Sequence, residues 1–252
     1  MSKNKSIVVA MADLRAAMSL RFVKYGLLGM GALGPVAAVL TVVATVALIP
    51  PGPDYDMLVQ YIAPTIASML MIFGIIPASM ISANALVGER EQKTMEPLLA
   101  TPLTDRELLI GKLLSSMIPS SILLFGGTLV SVLAENVIFV LMGLPLLLIP
   151  DVGGMLMIFI AGPAIIIAVV SFMILISGRV TRVYEAYQMT SIVVIIAIIP
   201  MIVPAFFIGG SLIESVTWLT YITTILISVA FMAITFSLAI TRFNRDRLIS
   251  MV

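Results

Sequence analysis

Six stretches of the chain carry no charge, and each is long enough to matter: about 26–49, 61–87, 113–134, 153–177, 188–208 and 221–241. A helix rising about 1.5 Å per residue needs about 20 apolar residues to cross about 30 Å of hydrocarbon. Backbone groups have no water partner inside lipid, so runs of this kind are expected to be helices. The sequence therefore predicts an all-α integral membrane protein with six transmembrane helices, forming a single membrane domain over 1–252. Pro200 and Pro204 break the outer end of the fifth run. The apolar stretch 137–149 is too short to span and contains Gly143 and Pro145, so it is expected to be an outward extension or an interfacial segment.

The charges agree with this layout. Only 11% of residues are charged, where a soluble domain has about a quarter. The N-terminal segment holds Lys3, Lys5, Arg15, Arg21 and Lys24; the second connection holds Arg90, Lys93, Arg106 and Lys112. The fourth connection holds Arg179 and Arg182, and the C-terminal tail holds Arg242, Arg245 and Arg247, which completes the fourteen Lys and Arg of the chain. The remaining connections hold only Asp54, Asp56, Glu135, Asp151 and Glu214. Because cytoplasmic loops are enriched in Lys and Arg, both termini are expected in the cytoplasm, which requires an even number of spans.

The same inventory excludes several functions. Without Cys or His there is no thiolate nucleophile, no Ser–His triad and no Cys- or His-ligated metal, so no catalytic or metal-binding residue is assigned. A net charge of +1 gives no pull toward nucleic acid. No Asp, Glu, Lys or Arg falls inside the six runs, which weighs against a self-sufficient ion-coupled carrier. The runs do contain Ser68, Ser79, Ser82, Asn84, Thr128 and Ser131, residues expected to hydrogen-bond between helices rather than to contact a substrate.

Asp13 and Arg15 interrupt the first apolar stretch, so no signal peptide is evident. Ile7, Met11, Leu14, Met18 and Phe22 instead line one face of a helix. Residues 1–25 are thus read as an amphipathic helix on the inner membrane surface, with a cytoplasmic prolongation of the first span as the alternative.

The second connection, 88–111, is the most informative. It ends in a capping box, Thr104 with Glu107 three residues on, which starts a helix in water. Thr101-Pro102 before it forces an extended or turn conformation. Pro97 fits only the first turn of a helix, so a short helix should begin near Thr94 or Met95, with Met95, Leu98 and Leu99 on one face. Apolar residues in such a place suit a partner. The alternative is that 89–93 is merely a solvated face and 95–99 dips into the headgroups. Spacing alone leaves both open.

Residues 88–112 read Gly-Glu-Arg-Glu-Gln-Lys-Thr-Met-Glu-Pro-Leu-Leu-Ala-Thr-Pro-Leu-Thr-Asp-Arg-Glu-Leu-Leu-Ile-Gly-Lys. This resembles the stretch between the second and third spans of type-2 ABC exporter permeases, and is most similar to the sodium-extrusion branch. That pattern has a Gly-Glu-Arg-Glu start, a Thr-x-Glu-x-Leu-Leu centre, a Thr-Pro turn and a Glu-Leu-x-x-Gly-Lys end. The N-terminal helix resembles the family's interfacial helix, 179–188 its short inner loop before the fifth span, and 200–220 its outer hairpin. One departure is Ile222-Thr223-Thr224, where the family often has Asn-Pro before the last span.

The resemblance implies that 94–99 is a coupling helix docking on a separate nucleotide-binding subunit. Glu89, Arg90, Glu91 and Glu96 would form its polar rim, and Met95, Pro97, Leu98 and Leu99 its inserted face, with Thr94, Thr101 and Pro102 shaping its ends. A second permease chain, the same or similar, would complete the path across a plasma or inner membrane. ATP and magnesium would belong to the partner ATPase and no cofactor to this chain. Its only Gly-Lys, Gly111-Lys112, is followed by Leu113, and position 106 is Arg, so no phosphate-cradling loop is present. The alternatives are an ATPase-independent secondary transporter, or a membrane scaffold that recruits an ATPase. The sequence does not specify the cargo.

Overall fold

A computed structural model of the chain describes residues 5–48, 53–88, 103–177, 180, 182–189, 191, 195 and 213–242. Its elements are all helical: α1 (Lys5–Ser19), α2 (Arg21–Leu48), α3 (Pro53–Ala83), α4 (Asp105–Leu141), α5 (Val152–Ser177) and α6 (Ile213–Arg242). A π-helical turn, Asn84–Gly88, continues α3, and a short helical segment lies at 183–189. Five helices are long and apolar enough to cross a membrane: Arg21–Val46, Tyr61–Ala83, Asp105–Leu141, Val152–Ser177 and Ser215–Thr241. They coincide with five of the six charge-free runs. The remaining run, 188–208, lies outside the described residues apart from 188, 189, 191 and 195.

Burial sorts the spans. In α3 and α5, 78% and 67% of the apolar window is buried, against 28%, 33% and 22% in α2, α4 and α6. The first two therefore form the centre, with α5 packing on α3 and α6, and α4 packing on α1, α2, α3 and α5. The outer helices expose large apolar side chains, among them Leu33 and Leu40 on α2, Ile122 and Leu133 on α4, and Leu226 and Ile234 on α6. So much exposed apolar surface is suited to lipid and not to water.

The structure corrects three expectations. First, α4 runs for 37 residues, about 55 Å; its start after Thr104 is the one the capping box announces, but at its far end it overshoots the predicted 134. It thereby carries two buried ionisable side chains, Lys112 and Glu135, although the charge-free runs contained none. Second, 137–149 is not one segment: its first part, to Leu141, continues α4. The last turn of α4 closes with the Leu144 N–H donating to the Phe139 carbonyl at 2.9 Å, around Gly143 at φ +71°, the left-handed ending that glycine permits. The chain then folds back, held by Asn136, whose amide donates to the Leu147 carbonyl (2.9 Å) and accepts from the Leu147 N–H (3.1 Å). Third, the polar midsections serve mainly their own helices. Ser79, Ser82, Thr128 and Ser131 each donate to a carbonyl three or four residues back, because that carbonyl is the nearest acceptor in an apolar surrounding. Asn84 does this too, but also reaches another segment.

Candidate functional site

The described residues on either side of the connection 89–102 form one assembly. On its C-terminal side, Thr104 is the N-cap of α4 in an extended conformation (φ −81°, ψ 155°). Its hydroxyl accepts from the Glu107 N–H at 3.3 Å, and the Glu107 carboxylate accepts from the Thr104 N–H at 2.9 Å. Two amides that a helix start leaves without partners are thus satisfied reciprocally. The capping box expected from sequence is present.

Two turns on, α1 crosses α4 at close range. A Cβ at Gly111 would lie 2.7 Å from Val9 Cβ and 3.0 Å from the Ser6 carbonyl oxygen, so the contact requires glycine. α1 is a helix of its own, separated from α2 at Leu20. It buries Val9, Ala10, Asp13 and Ala17 and leaves Ile7, Met11 and Met18 exposed, as is Phe22 just beyond it in α2. The apolar stripe read from the sequence therefore faces away from the protein, while a smaller-residue face makes the contact.

Beside Gly111, the Lys112 ammonium is almost completely buried. It donates to the Ala85 carbonyl at 2.6 Å and pairs with Asp13 at 3.4 Å. A buried cation is tolerable only when paired and hydrogen-bonded. One side chain therefore ties α1, the π-helical turn and α4 together. A π-helical turn departs from the ordinary ladder, and Ala85 within it supplies the acceptor. In the same turn, Asn84 donates to the Tyr187 hydroxyl at 2.7 Å, linking it to the segment 183–189. Burial pushes the Tyr187 phenol up, and the Asn84 hydrogen bond pulls it partly back. The Tyr187 ring lies 6.2 Å from that of Phe22 at the start of α2.

The eleven residues assigned from sequence to ATPase docking, Glu89, Arg90, Glu91, Thr94, Met95, Glu96, Pro97, Leu98, Leu99, Thr101 and Pro102, lie outside the described residues. What the structure gives is their mounting: Gly88 ends one flank and Leu103-Thr104 begins the other. Next to the second flank, a groove of about 360 Å³ opens between α4 and α6, lined by Asp105, Arg106, Leu109, Ile110, Phe236 and Ile240. Sequence reasoning assigned no role to Asp13 or Tyr187, met Lys112 only as a cation of the connection and the end of a motif, and expected of Asn84 a hydrogen bond to another helix, which it makes to Tyr187. One signal was available for the first. Asp13 is the only acidic residue in 1–53, and it interrupts an apolar stretch.

A family model described as ABC-2 family transporter protein matches residues 53–210, well over half of the chain. The chain belongs to the ABC-2 transporter family. It is a multi-pass membrane component of a transporter. Among curated proteins, none matches it. The part of this ABC-2 chain that matches contains the π-helical turn, the capping box, Lys112 and Tyr187, whereas Asp13 on α1 lies outside it.

Proposed function

We propose that this ABC-2 family chain is the transmembrane permease subunit of an ATP-binding-cassette exporter, of the kind found in the sodium-extrusion branch. It would cross the plasma or inner membrane six times, with both termini cytoplasmic and 1–252 as a single permease domain. A separate nucleotide-binding subunit carries ATP and magnesium and docks on the coupling helix at 94–99. Glu89, Arg90, Glu91 and Glu96 rim the contact, Met95, Pro97, Leu98 and Leu99 enter it, and Thr94, Thr101 and Pro102 set its ends. A second permease chain, identical or related, completes the path.

The observation that carries this reading is the buried Lys112 assembly. A connection meant only to be solvated needs no rigid mount. This one has its preceding turn bonded to α4, and its following helix capped and packed on α1. Such a mount is what a lever needs, because a push on 94–99 then reaches α3 and α4 without being lost in a flexible loop.

The test is to extract the tagged chain in mild detergent and identify what accompanies it by mass spectrometry. A stoichiometric subunit with a Walker loop is expected, absent from a Met95→Asp/Leu98→Asp variant. A chain that extracts alone and transports on an ion gradient would replace this reading with a secondary carrier. One that recruits the ATPase without any flux would be a scaffold.

A further inference from the structure

Glu135, near the far end of α4, has an environment opposite to that of Lys112. Its side chain is fully buried, and both carboxylate oxygens lack a partner among the described residues. Its described polar neighbours along α4 are committed elsewhere. On the same buried face of α4, Ser131 donates to the Thr128 carbonyl at 3.0 Å and Thr128 to the Leu124 carbonyl at 2.8 Å. The adjacent Asn136 amide is taken up by Val132 and Leu147. Asp151, a carboxylate at the same end of the bundle, is by contrast satisfied by the Gly154 N–H at 2.9 Å and by the Tyr221 hydroxyl.

The chain has no cation to offer. There is no Lys or Arg between 113 and 178, nor between 25 and 89, nor between 183 and 241. By sequence, the other titratable residues in the segments at this end are Tyr61, Asp151 and Tyr221, with Asp54, Tyr55, Asp56 and Glu214; α2 contributes none. None of these is a cation. An ionised carboxylate without a partner is far costlier to bury than the neutral acid.

We propose that Glu135 is a proton-binding site: its carboxylate takes a proton from hydronium in the medium at the cation-free end, leaving water, and the bundle closes around the neutral acid. The burial and the absence of any cation at that end follow from this assignment, because the neutral acid costs far less to bury than the carboxylate. Hydration favours the carboxylate, so a rearrangement that opens this end to water returns the proton to it. Uptake and release thus accompany closing and opening of the bundle.

Infrared spectroscopy of the purified full-length chain in lipid tests this directly, because a protonated carboxyl has a C=O stretching band separate from the amide and carboxylate bands. At neutral pH the wild type should show this band, displaced in heavy water. It should be lost in Glu135→Gln and shifted, not lost, in Glu135→Asp, which keeps the assignment testable if one variant fails to fold. A spectrum without such a band, or one that both substitutions leave unchanged, overturns the proposal. A band that disappears when sodium or lithium replaces a large organic cation at fixed pH also overturns it, by assigning a metal cation to the site.

Discussion

α4 carries a buried ionisable side chain near each of its ends, and the two are held in opposite ways. Lys112 and Glu135 are 23 positions apart in the sequence, about 34 Å along a helix, close to the thickness of a bilayer's hydrocarbon core. Lys112 sits among groups that answer it, with a carboxylate from α1 and a carbonyl from the π-helical turn. Glu135 has no such answer among the described residues. Nearly equal burial therefore does not mean equal function. The satisfied charge fixes three segments relative to one another, beside the connection that receives the ATPase in the proposed function. The unsatisfied one leaves its end dependent on something supplied by the medium.

This contrast can be broken most forcefully at Lys112. Lys112→Met leaves Asp13 buried without its cation and should lower stability by about 3–5 kcal/mol in detergent-based denaturation. The double variant with Asp13→Asn should recover much of that loss, and purely additive losses would mean that the two side chains do not act as a pair. Next in size is Gly111→Ala, which places a methyl group against Val9 and the Ser6 carbonyl and should cost about 1–3 kcal/mol. Combining it with Val9→Gly should cost less than the two changes separately.

Smaller effects test the periphery of the assembly. Thr104→Ala removes the cap of α4 and should cost about 1 kcal/mol, visible as faster hydrogen exchange confined to the first turn after Thr104. Tyr187→Phe leaves the ring but removes the acceptor for Asn84, a loss of about 0.5–1.5 kcal/mol. Glu135→Gln should be the mildest, within about 1 kcal/mol of the wild type at neutral pH, since it replaces one neutral group by another of the same shape. A loss there as large as at Lys112 would erase the distinction between the two ends.

Much of the fold was legible because lipid imposes a simple rule. Five charge-free runs reappear as helices, and Thr104 and Glu107 form the cap that their spacing announced. The rule failed where it used charge as a boundary. It ended the third span before Glu135, whereas the helix passes through that residue, and whether a charge is buried depends on partners distant in sequence. Asp13 is 99 positions from Lys112, and no periodicity within α1 points to it. The return of the chain after Gly143 was missed for a related reason, since Asn136 holds Leu147 by side-chain bonds that hydropathy does not register. The docking residues 89–102 were read from motif and resemblance, and only their flanks can be compared with the structure.

The most direct test of the central claim exploits the absence of cysteine from the chain. Thr94→Cys introduces a single thiol into the coupling segment, to be joined by a short thiol-to-amine crosslinker in native membranes. The account predicts a product containing a subunit with a Walker loop, formed in high yield and suppressed when Met95 and Leu98 are changed to Asp. A thiol that reacts with reagent yet joins no ATPase would contradict it.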